Sequence, residues 1–247
     1  MLKENERIDQ LMQHDLSIIQ SKEVFSYSLD AVLLGDFARL NKRADQKIFD
    51  LCSGNAAVAL MISQKTESPI YAIEIQEKLA DMARRSVKLN HLEDQIKVIQ
   101  QDVKEIGKEH YDSLDIISCN PPYFPLSEKS TINPNEHLAI ARHEIHLKLE
   151  ELIFKISKLL KINGKVYFVY RPDRFLELMT LMQDYGVNPK SVRFVYPNEE
   201  SNANIVLVEG IKNNKKTGFK MLPPLYVHHK DGSYQEEVRK ILYGRDE

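Results

Sequence analysis

Leu114-Asp115-Ile116-Ile117-Ser118-Cys119 runs directly into Asn120-Pro121-Pro122-Tyr123-Phe124, and this junction decides the fold. The first six residues are mostly apolar, with β-branched residues at their centre, which predicts a short buried strand. The two prolines that follow have no N–H to donate to a sheet. The sequence therefore predicts a strand that stops abruptly at Asn120.

The end of this strand presents an amide, two rigid carbonyls and two aromatic rings. The Asn120 side-chain oxygen and the Pro121 carbonyl can each accept one N–H of a planar amino group, while Tyr123 stacks on the attached π-system. The alternative is a purely structural turn that the prolines make rigid and an aromatic ring packs against. The apolar strand before the prolines and the tyrosine after them favour the functional interpretation.

Strand and helix patterns alternate on both sides of this junction, which predicts an α/β fold: a mostly parallel sheet covered by helices and closed by a late antiparallel hairpin. The other predicted strands are Lys47–Leu51, Ile70–Ile75, Ile96–Gln101, Lys165–Tyr170, Ser191–Tyr196 and Ala203–Ile211. The predicted helices are Leu29–Leu40, Ala56–Gln64, Lys78–Asn90, Leu147–Leu160 with Asn163-Gly164 as its stop signal, and one from Pro172 to Gly186. Residues 125–146 lack periodicity and are predicted to form a functional loop or lid.

Composition narrows the class of protein. A chain of 247 residues with 43% hydrophobic residues suits one α/β domain. The two cysteines, Cys52 and Cys119, are too few for a disulfide framework or a metal site, and they suggest a reducing compartment. With no secretory signal and no apolar run of membrane-spanning length, we expect a cytoplasmic protein without a membrane partner.

Three acids follow or close predicted strands, where ligands of open α/β sheets bind. Asp50 lies in the strand before the loop Cys52-Ser53-Gly54-Asn55-Ala56, Glu74 lies in the second strand, and Asp102 follows the third. Glu74 can accept hydrogen bonds from both hydroxyls of a ribose, and Asp102 can accept one from an adenine amino group. For each acid alone, the alternative is a solvated loop edge.

The segment Asp50–Ala56 resembles the first motif of methyltransferases, an acid followed by glycines at alternate positions. Cys52 and Ala56 stand where glycines are usual, and only Gly54 remains. A pyrophosphate requires close approach of the backbone, whereas S-adenosylmethionine carries no phosphate. The segment thus favours S-adenosylmethionine over NAD, FAD or ATP.

Asn120–Tyr123 resembles the Asn-Pro-Pro-Tyr motif of S-adenosylmethionine-dependent methyltransferases that modify exocyclic amino or amide nitrogens. With further blocks along the chain, the sequence resembles the bacterial tRNA1(Val) adenine N6-methyltransferase family from about residue 20 to about residue 230. These blocks are Phe25–Leu34, Ala141–Glu144, Arg171–Arg174 and Ala203–Glu209.

The resemblance implies a Rossmann-like, seven-stranded class I methyltransferase fold in a single domain. A segment 1–45 would close over the cofactor, residues 46–211 would form the core, and residues 212–247 would extend it. The implied enzyme methylates N6 of the adenine next to the anticodon in valine tRNA. The expected catalytic residues are Asn120, Pro121, Pro122 and Tyr123. The expected cofactor residues are Ser28, Asp30, Asp50, Cys52, Gly54, Glu74, Ile75, Asp102, Val103 and Asn120.

For RNA contact we expect Phe124, Arg142, His143, Lys212, Lys215 and Lys216. A net charge of −2 means that any RNA must meet a local patch, and the segment Lys212–Lys220 holds four lysines and no acid. Its alternative is a solvated hairpin turn, and Arg142 and His143 can equally form a loop ion pair with Glu144.

Three alternatives to a tRNA methyltransferase stay open. A methyltransferase acting on ribosomal RNA would share these motifs, and one acting on a protein glutamine would share the Asn-Pro-Pro-Tyr chemistry. A glutamine enzyme normally carries an N-terminal helical substrate domain, and about 45 residues before the first predicted strand are too few for one. A non-catalytic RNA-binding protein with a decayed fold would explain the missing glycines. The oligomeric state cannot be inferred.

Overall fold

A computed structural model of the chain describes residues 2–11, 15–21, 29–122, 147–213 and 218–244. Its strands are β1 Glu6–Leu11, β2 Leu16–Ser21, β3 Ile48–Leu51, β4 Ile70–Glu74, β5 Ile96–Gln100, β6 Leu114–Cys119, β7 Leu160–Tyr170, β8 Val187–Tyr196, β9 Ile205–Lys212, β10 Lys220–Met221 and β11 Leu225–Tyr226. Its helices are α1 Leu29–Phe37, α2 Ala57–Ser63, α3 Glu77–Leu89, α4 Leu149–Leu159, α5 Phe175–Asp184 and α6 Glu236–Tyr243.

The main sheet has the order β10-β8-β9-β7-β6-β3-β4-β5, and β11 also pairs with β8. Strands β7, β6, β3, β4 and β5 run parallel, whereas β9 is antiparallel to both β7 and β8. The predicted α/β sheet with a late antiparallel hairpin is confirmed. From β3 the chain builds the sheet outward through β4 and β5, then returns to place β6 on the other side of β3.

Successive residues of each central strand point to opposite faces of the sheet and pack into two separate hydrophobic cores. On one face, Ile48 and Ile116 pack with α1, α2, α3 and α6. On the other face, Phe49 and Ile117 pack with α4 and α5. This arrangement buries the central strands on both sides, which explains why they read as nearly continuous apolar runs.

An antiparallel hairpin of β1 and β2 precedes the main sheet, so the expectation that the first strand begins near residue 47 was wrong. Ile19 of β2 packs against Leu79 and Met82 of α3. Arg85 of α3 holds Glu6 of β1 through two hydrogen bonds of 2.6 Å. β1 carries charged and polar residues and is mostly exposed, so its sequence gave no apolar periodicity to detect.

Several helix boundaries also differ from expectation, and α1 ends at Phe37 rather than Leu40. Asn163-Gly164 does not stop α4, which ends at Leu159; the pair lies inside β7, next to a register shift opposite β6. A Cβ at Gly164 would lie 2.7 Å from the Leu114 carbonyl oxygen, so close backbone approach accounts for the glycine. Pro172 opens a 3₁₀ turn before α5, and Gly186, with φ of 74°, follows the helix as expected.

None of the helices in the described part of the chain is both long and apolar enough to span a bilayer.

Candidate active site

The candidate site lies at the carboxyl ends of β6, β3, β4 and β5, which are consecutive neighbours in the sheet. These ends carry, in order, Asn120, the loop around Gly54, Glu74 and Asp102. Neighbouring strands lie about 4.8 Å apart, so three spacings span about 14 Å. The sheet changes direction of growth between β3 and β6, and such a switch point leaves a crevice for a ligand.

Asp50 is buried in β3, opposite Ser118 of β6. The Ser118 hydroxyl donates to Asp50 Oδ1 at 2.7 Å, and Oδ2 has no hydrogen-bond partner of ordinary geometry in the described chain. Burial raises the pKa of Asp50 to about 7; nearby Glu74 adds to the rise, while Ser118 and the backbone amide of Ala59 oppose it. Asp50 therefore ties β3 to β6, the strand that leads to Asn120.

Glu74 anchors the loop between β3 and α2. Its Oε2 accepts from the Gly54 amide and its Oε1 from the Gln76 amide, both at 2.8 Å. Burial raises the pKa of Glu74 against the effect of these amides. The Ile75 amide also approaches this carboxylate, which has about four acceptor positions in all, so about one is left for a ligand hydroxyl.

Asp102 lies just beyond β5 and caps a short 3₁₀ turn, where its Oδ1 accepts from the Lys104 amide at 2.8 Å. Its side chain is about 20% exposed, and its Oδ2 lies 3.7 Å from the Lys104 ammonium group. Val103 beside it is buried, whereas Ile75, next to Glu74, is 39% exposed. An exposed apolar side chain between two acids suits an aromatic ring whose edges bear donors.

The loop after β3 keeps the backbone of a glycine-rich turn although it has one glycine. Cys52, Gly54 and Ala56 have φ values of 56°, 57° and 70°, all left-handed. A Cβ at the Gly54 position would meet no atom of the described residues within 4 Å, so within that part of the chain the space beside this glycine is open. The substitutions at the first and third positions therefore preserve the shape of the turn at the cost of strain.

Asn120 and Pro122 are half-buried at the end of β6, and Pro121 is buried. The abrupt end predicted for this strand is confirmed, because β6 stops at Cys119. The structure thus brings Asn120, Gly54, Glu74 and Asp102 to one rim. Asp30 lies in the first turn of α1, a helix that packs against α2 and β7.

The pattern of the family described as "Methyltransferase small domain" matches residues 15–188. This chain belongs to the methyltransferase small domain family. Among curated proteins it is 29% identical over 218 residues to the tRNA1(Val) (adenine(37)-N6)-methyltransferase of Bacteroides thetaiotaomicron, covering 81% of this chain and 89% of that protein. The resemblance noted in the sequence is confirmed, and the protein is an S-adenosylmethionine-dependent methyltransferase related to these tRNA enzymes.

Solved structures agree on the fold. A predicted O-methyltransferase from Agrobacterium tumefaciens superposes with a TM-score of 0.67 at 19% identity, covering 87% of this chain and 96% of that one. P. horikoshii TYW2 in complex with MeSAdo gives a TM-score of 0.60 at 13% identity, covering 87% of this chain and 73% of that one. The expected class I methyltransferase fold is confirmed.

Several predicted site residues lie outside the described residues, and so does the expected loop 125–146. They are Ser28, Tyr123, Phe124, Arg142, His143, Lys215 and Lys216. Lys212 is described but does not join the others. It ends β9 next to Ile211, which is level with Lys165 at the amino end of the parallel strands, opposite the site. Its ammonium group is held by Asp112 at 2.6 Å and by the Leu160 carbonyl at 2.8 Å.

Sequence reasoning missed two polar residues that shape the site. Ser118, the partner of Asp50, was interpreted only as part of an apolar strand. Asn55, between Gly54 and Ala56, is buried and donates to the Ile19 carbonyl at 3.0 Å, which joins the loop to the N-terminal hairpin. The only signal for either was a polar residue where a buried apolar one was expected.

Proposed function

We propose that this protein transfers a methyl group from S-adenosylmethionine to the exocyclic N6 of an adenine in tRNA, the adenine next to the anticodon. The observation that carries the proposal is the position of Asn120-Pro121-Pro122 beside the cofactor loop, on strands that are neighbours in the sheet. The relationship to tRNA1(Val) (adenine(37)-N6)-methyltransferases supports adenine and tRNA as the substrate.

The order of groups along the rim assigns a part of the cofactor to each. Asp102 and Ile75 would hold the adenine, and Glu74 would accept from the ribose hydroxyls. The open backbone at Gly54 would receive the amino-acid part, with Cys52 beside it. S-adenosylmethionine, when bound, supplies an electrophilic methyl group on a sulfonium. Asp30 and Ser28 would close this end of the cleft, and Val103 would support the adenine from below.

Asn120 and Pro121 act on the substrate. The lone pair of an adenine amino nitrogen is delocalised into the ring, so that nitrogen is a poor nucleophile. If Asn120 and the Pro121 carbonyl each accept one N–H, the nitrogen becomes pyramidal and its lone pair is aimed into the cleft. Positioning of this kind supplies most of the rate in an in-line displacement.

Other residues are proposed to contact the substrate. Tyr123 and Phe124 would stack on the extruded base, and flipping a loop base costs less than flipping a paired one. Arg142 and His143 would contact phosphate. Lys215 and Lys216 keep their proposed RNA role, whereas the ion pair of Lys212 argues against a direct one. We also propose that the whole chain acts as one methyltransferase domain.

Two substitutions separate the substrate and cofactor roles. Asn120→Ala should lower kcat by about 10²–10³ and change cofactor affinity far less, by analogy with the loss of one positioned hydrogen-bonding group. Glu74→Ala should weaken cofactor binding by about 1.5–3 kcal/mol, roughly tenfold to a hundredfold. Asn41 is exposed and precedes β3, so Asn41→Ala is the matched control and should change neither kcat nor cofactor affinity.

The measurement is single-turnover methyl transfer to an unmodified valine tRNA transcript, with cofactor affinity by calorimetry. A transcript carrying guanine in place of adenine 37 should receive no methyl group. Near wild-type turnover by Asn120→Ala would reduce the motif to a turn. Methylation of ribosomal RNA or of a protein glutamine, but of no tRNA, would favour one of the rival substrates.

A further inference from the structure

Two free thiols flank the switch point of the sheet. Cys119 is the last residue of β6, and Cys52 directly follows Leu51, the last residue of β3. Leu51 and Cys119 are register partners in these parallel strands. Both cysteines pack into the same core, the one between the sheet and α4 and α5. The two thiols thus lie on one side of the sheet at adjacent strand ends.

Strand geometry places the two cysteines at bridging distance. Neighbouring strands are about 4.8 Å apart, and one residue advances about 3.3 Å along a strand. Cys52 is one residue beyond the partner of Cys119, so the Cα atoms are about 5.8 Å apart, within the range of about 4.4–6.8 Å found in disulfides. Contact with the Cys52 thiol contributes, after burial, to a pKa of Cys119 well above its usual range.

The two thiols differ in access. Cys119 is fully buried, whereas Cys52 is half-buried at the cleft. A reagent in the cleft therefore meets Cys52 first. Cys52 also holds a left-handed conformation that costs a residue with a side chain about 1–2 kcal/mol.

We propose that Cys52 and Cys119 are a modification site, a dithiol that peroxide converts to a disulfide across the floor of the active site. The Cys52 thiolate attacks hydrogen peroxide, breaks its O–O bond and becomes a sulfenic acid, and the released hydroxide takes a proton to form water. The Cys119 thiol then attacks the sulfenic sulfur. The S–S bond forms, the S–O bond breaks, and the thiol proton leaves with the hydroxyl as a second water.

This bond would disturb the site that binds the cofactor. It joins the residue before Ser53-Gly54 to the residue before Asn120, and it draws the two sulfur atoms to about 2.0 Å. Misplacement of reacting groups by about 1 Å can cost up to about 10²-fold in rate. Oxidation should therefore lower methyl transfer by about tenfold or more, and a dithiol reductant should restore it.

The test treats the full-length protein with hydrogen peroxide and digests it without reduction. Trypsin releases Cys52 in peptide 48–65 and Cys119 in peptide 109–129, so a bridge appears as one linked species lacking two hydrogens. Cofactor affinity is measured before and after oxidation and again after reduction. The mass and affinity measurements are independent of the RNA substrate, and only the turnover measurement rests on the proposed function.

Cys119→Ala removes the resolving thiol but keeps Cys52. It should form no linked peptide and should instead leave Cys52 singly oxidised after peroxide; Cys119→Ser, which also cannot bridge, checks that result if the alanine variant is poorly folded. The proposal is overturned if the wild type yields only singly oxidised Cys52, or if a dithiol reductant that removes the linked peptide does not restore the cofactor affinity of the oxidised wild type.

Discussion

Replacing Ala56 by glycine tests whether the loop after β3 is strained. Ala56 is fully buried with a φ of 70°, while Ala57, the first residue of α2, is 3% exposed and helical. Both substitutions remove one buried methyl group, worth about 0.8 kcal/mol, and both add the conformational entropy of glycine, about 0.5–1 kcal/mol. Only Ala56→Gly also relieves the left-handed conformation, worth about 1–2 kcal/mol.

The expected changes in the free energy of unfolding for the two substitutions differ only by the strain that Ala56→Gly relieves. Ala57→Gly should lower the free energy of unfolding by about 1.3–1.8 kcal/mol, whereas Ala56→Gly should leave it within about 1 kcal/mol of the wild type. Urea unfolding with linear extrapolation measures both values. For a chain of this size the difference corresponds to about 2–8 °C in Tm.

Ala56→Gly also bears on the cofactor. The Ala56 methyl group is fully buried and so faces the protein rather than the cleft. Its removal should leave affinity for S-adenosylmethionine unchanged in calorimetry. If Ala56→Gly destabilised the protein as much as Ala57→Gly, the loop would not be strained; a gain in affinity would show that alanine at this position obstructs the cofactor.

Two further predictions concern charged groups. Lys65 donates to the carbonyls of Gly35, Asp36 and Ala38 at the end of α1, so Lys65→Met should lower the free energy of unfolding in urea by about 2–3 kcal/mol. Lys230→Met, at an exposed ion pair, should lower it by under about 1 kcal/mol, and equal losses would contradict the capping role of Lys65. Because the folded pKa of Asp50 is about 7 against an ordinary 3.8, the folded state keeps a proton that the unfolded state releases, and the free energy of unfolding should fall as pH rises from about 4 to about 7. Asp50→Asn should remove on the order of 4 kcal/mol of that fall at most, leaving the part due to Glu74, and an unchanged slope between about pH 5 and about pH 7.5 would show that Asp50 titrates normally.

Much of the fold was predictable because its signals are local. The apolar runs of β3, β4 and β6 and the double proline after Cys119 each fix an element without reference to distant residues. Strand ends predicted that Asp50, Glu74 and Asp102 share a rim, because carboxyl ends of parallel strands meet at one edge. Glu74 and Asp102 lie there, whereas Asp50 is buried inside β3 against Ser118. The hairpin of β1 and β2 was missed because its stability comes from α3, through contacts such as Arg85 with Glu6.

The candidate site was predictable in its acids but not in their partners. A carboxylate at a strand end is visible in sequence, whereas its hydrogen bond to a residue 68 positions away, as between Asp50 and Ser118, depends on strand order. Lys212 shows the converse. Its segment reads as a basic patch, yet the antiparallel direction of β9 carries it to the amino ends of the parallel strands.

The chain returns to place β6 beside β3, and this brings the loop after β3 and the Asn-Pro-Pro segment after β6 into one site. Residues 50–56 and 120–122 are separated by about two strand–helix units in sequence, yet their strands are direct neighbours. The pairs Asp50–Ser118 and Cys52–Cys119 both lie on this seam, one in the strands and one at their ends. A change at either pair should therefore reach the cofactor loop and Asn120 together, whereas a change at Asp102, three strands from Asn120, should affect cofactor affinity alone.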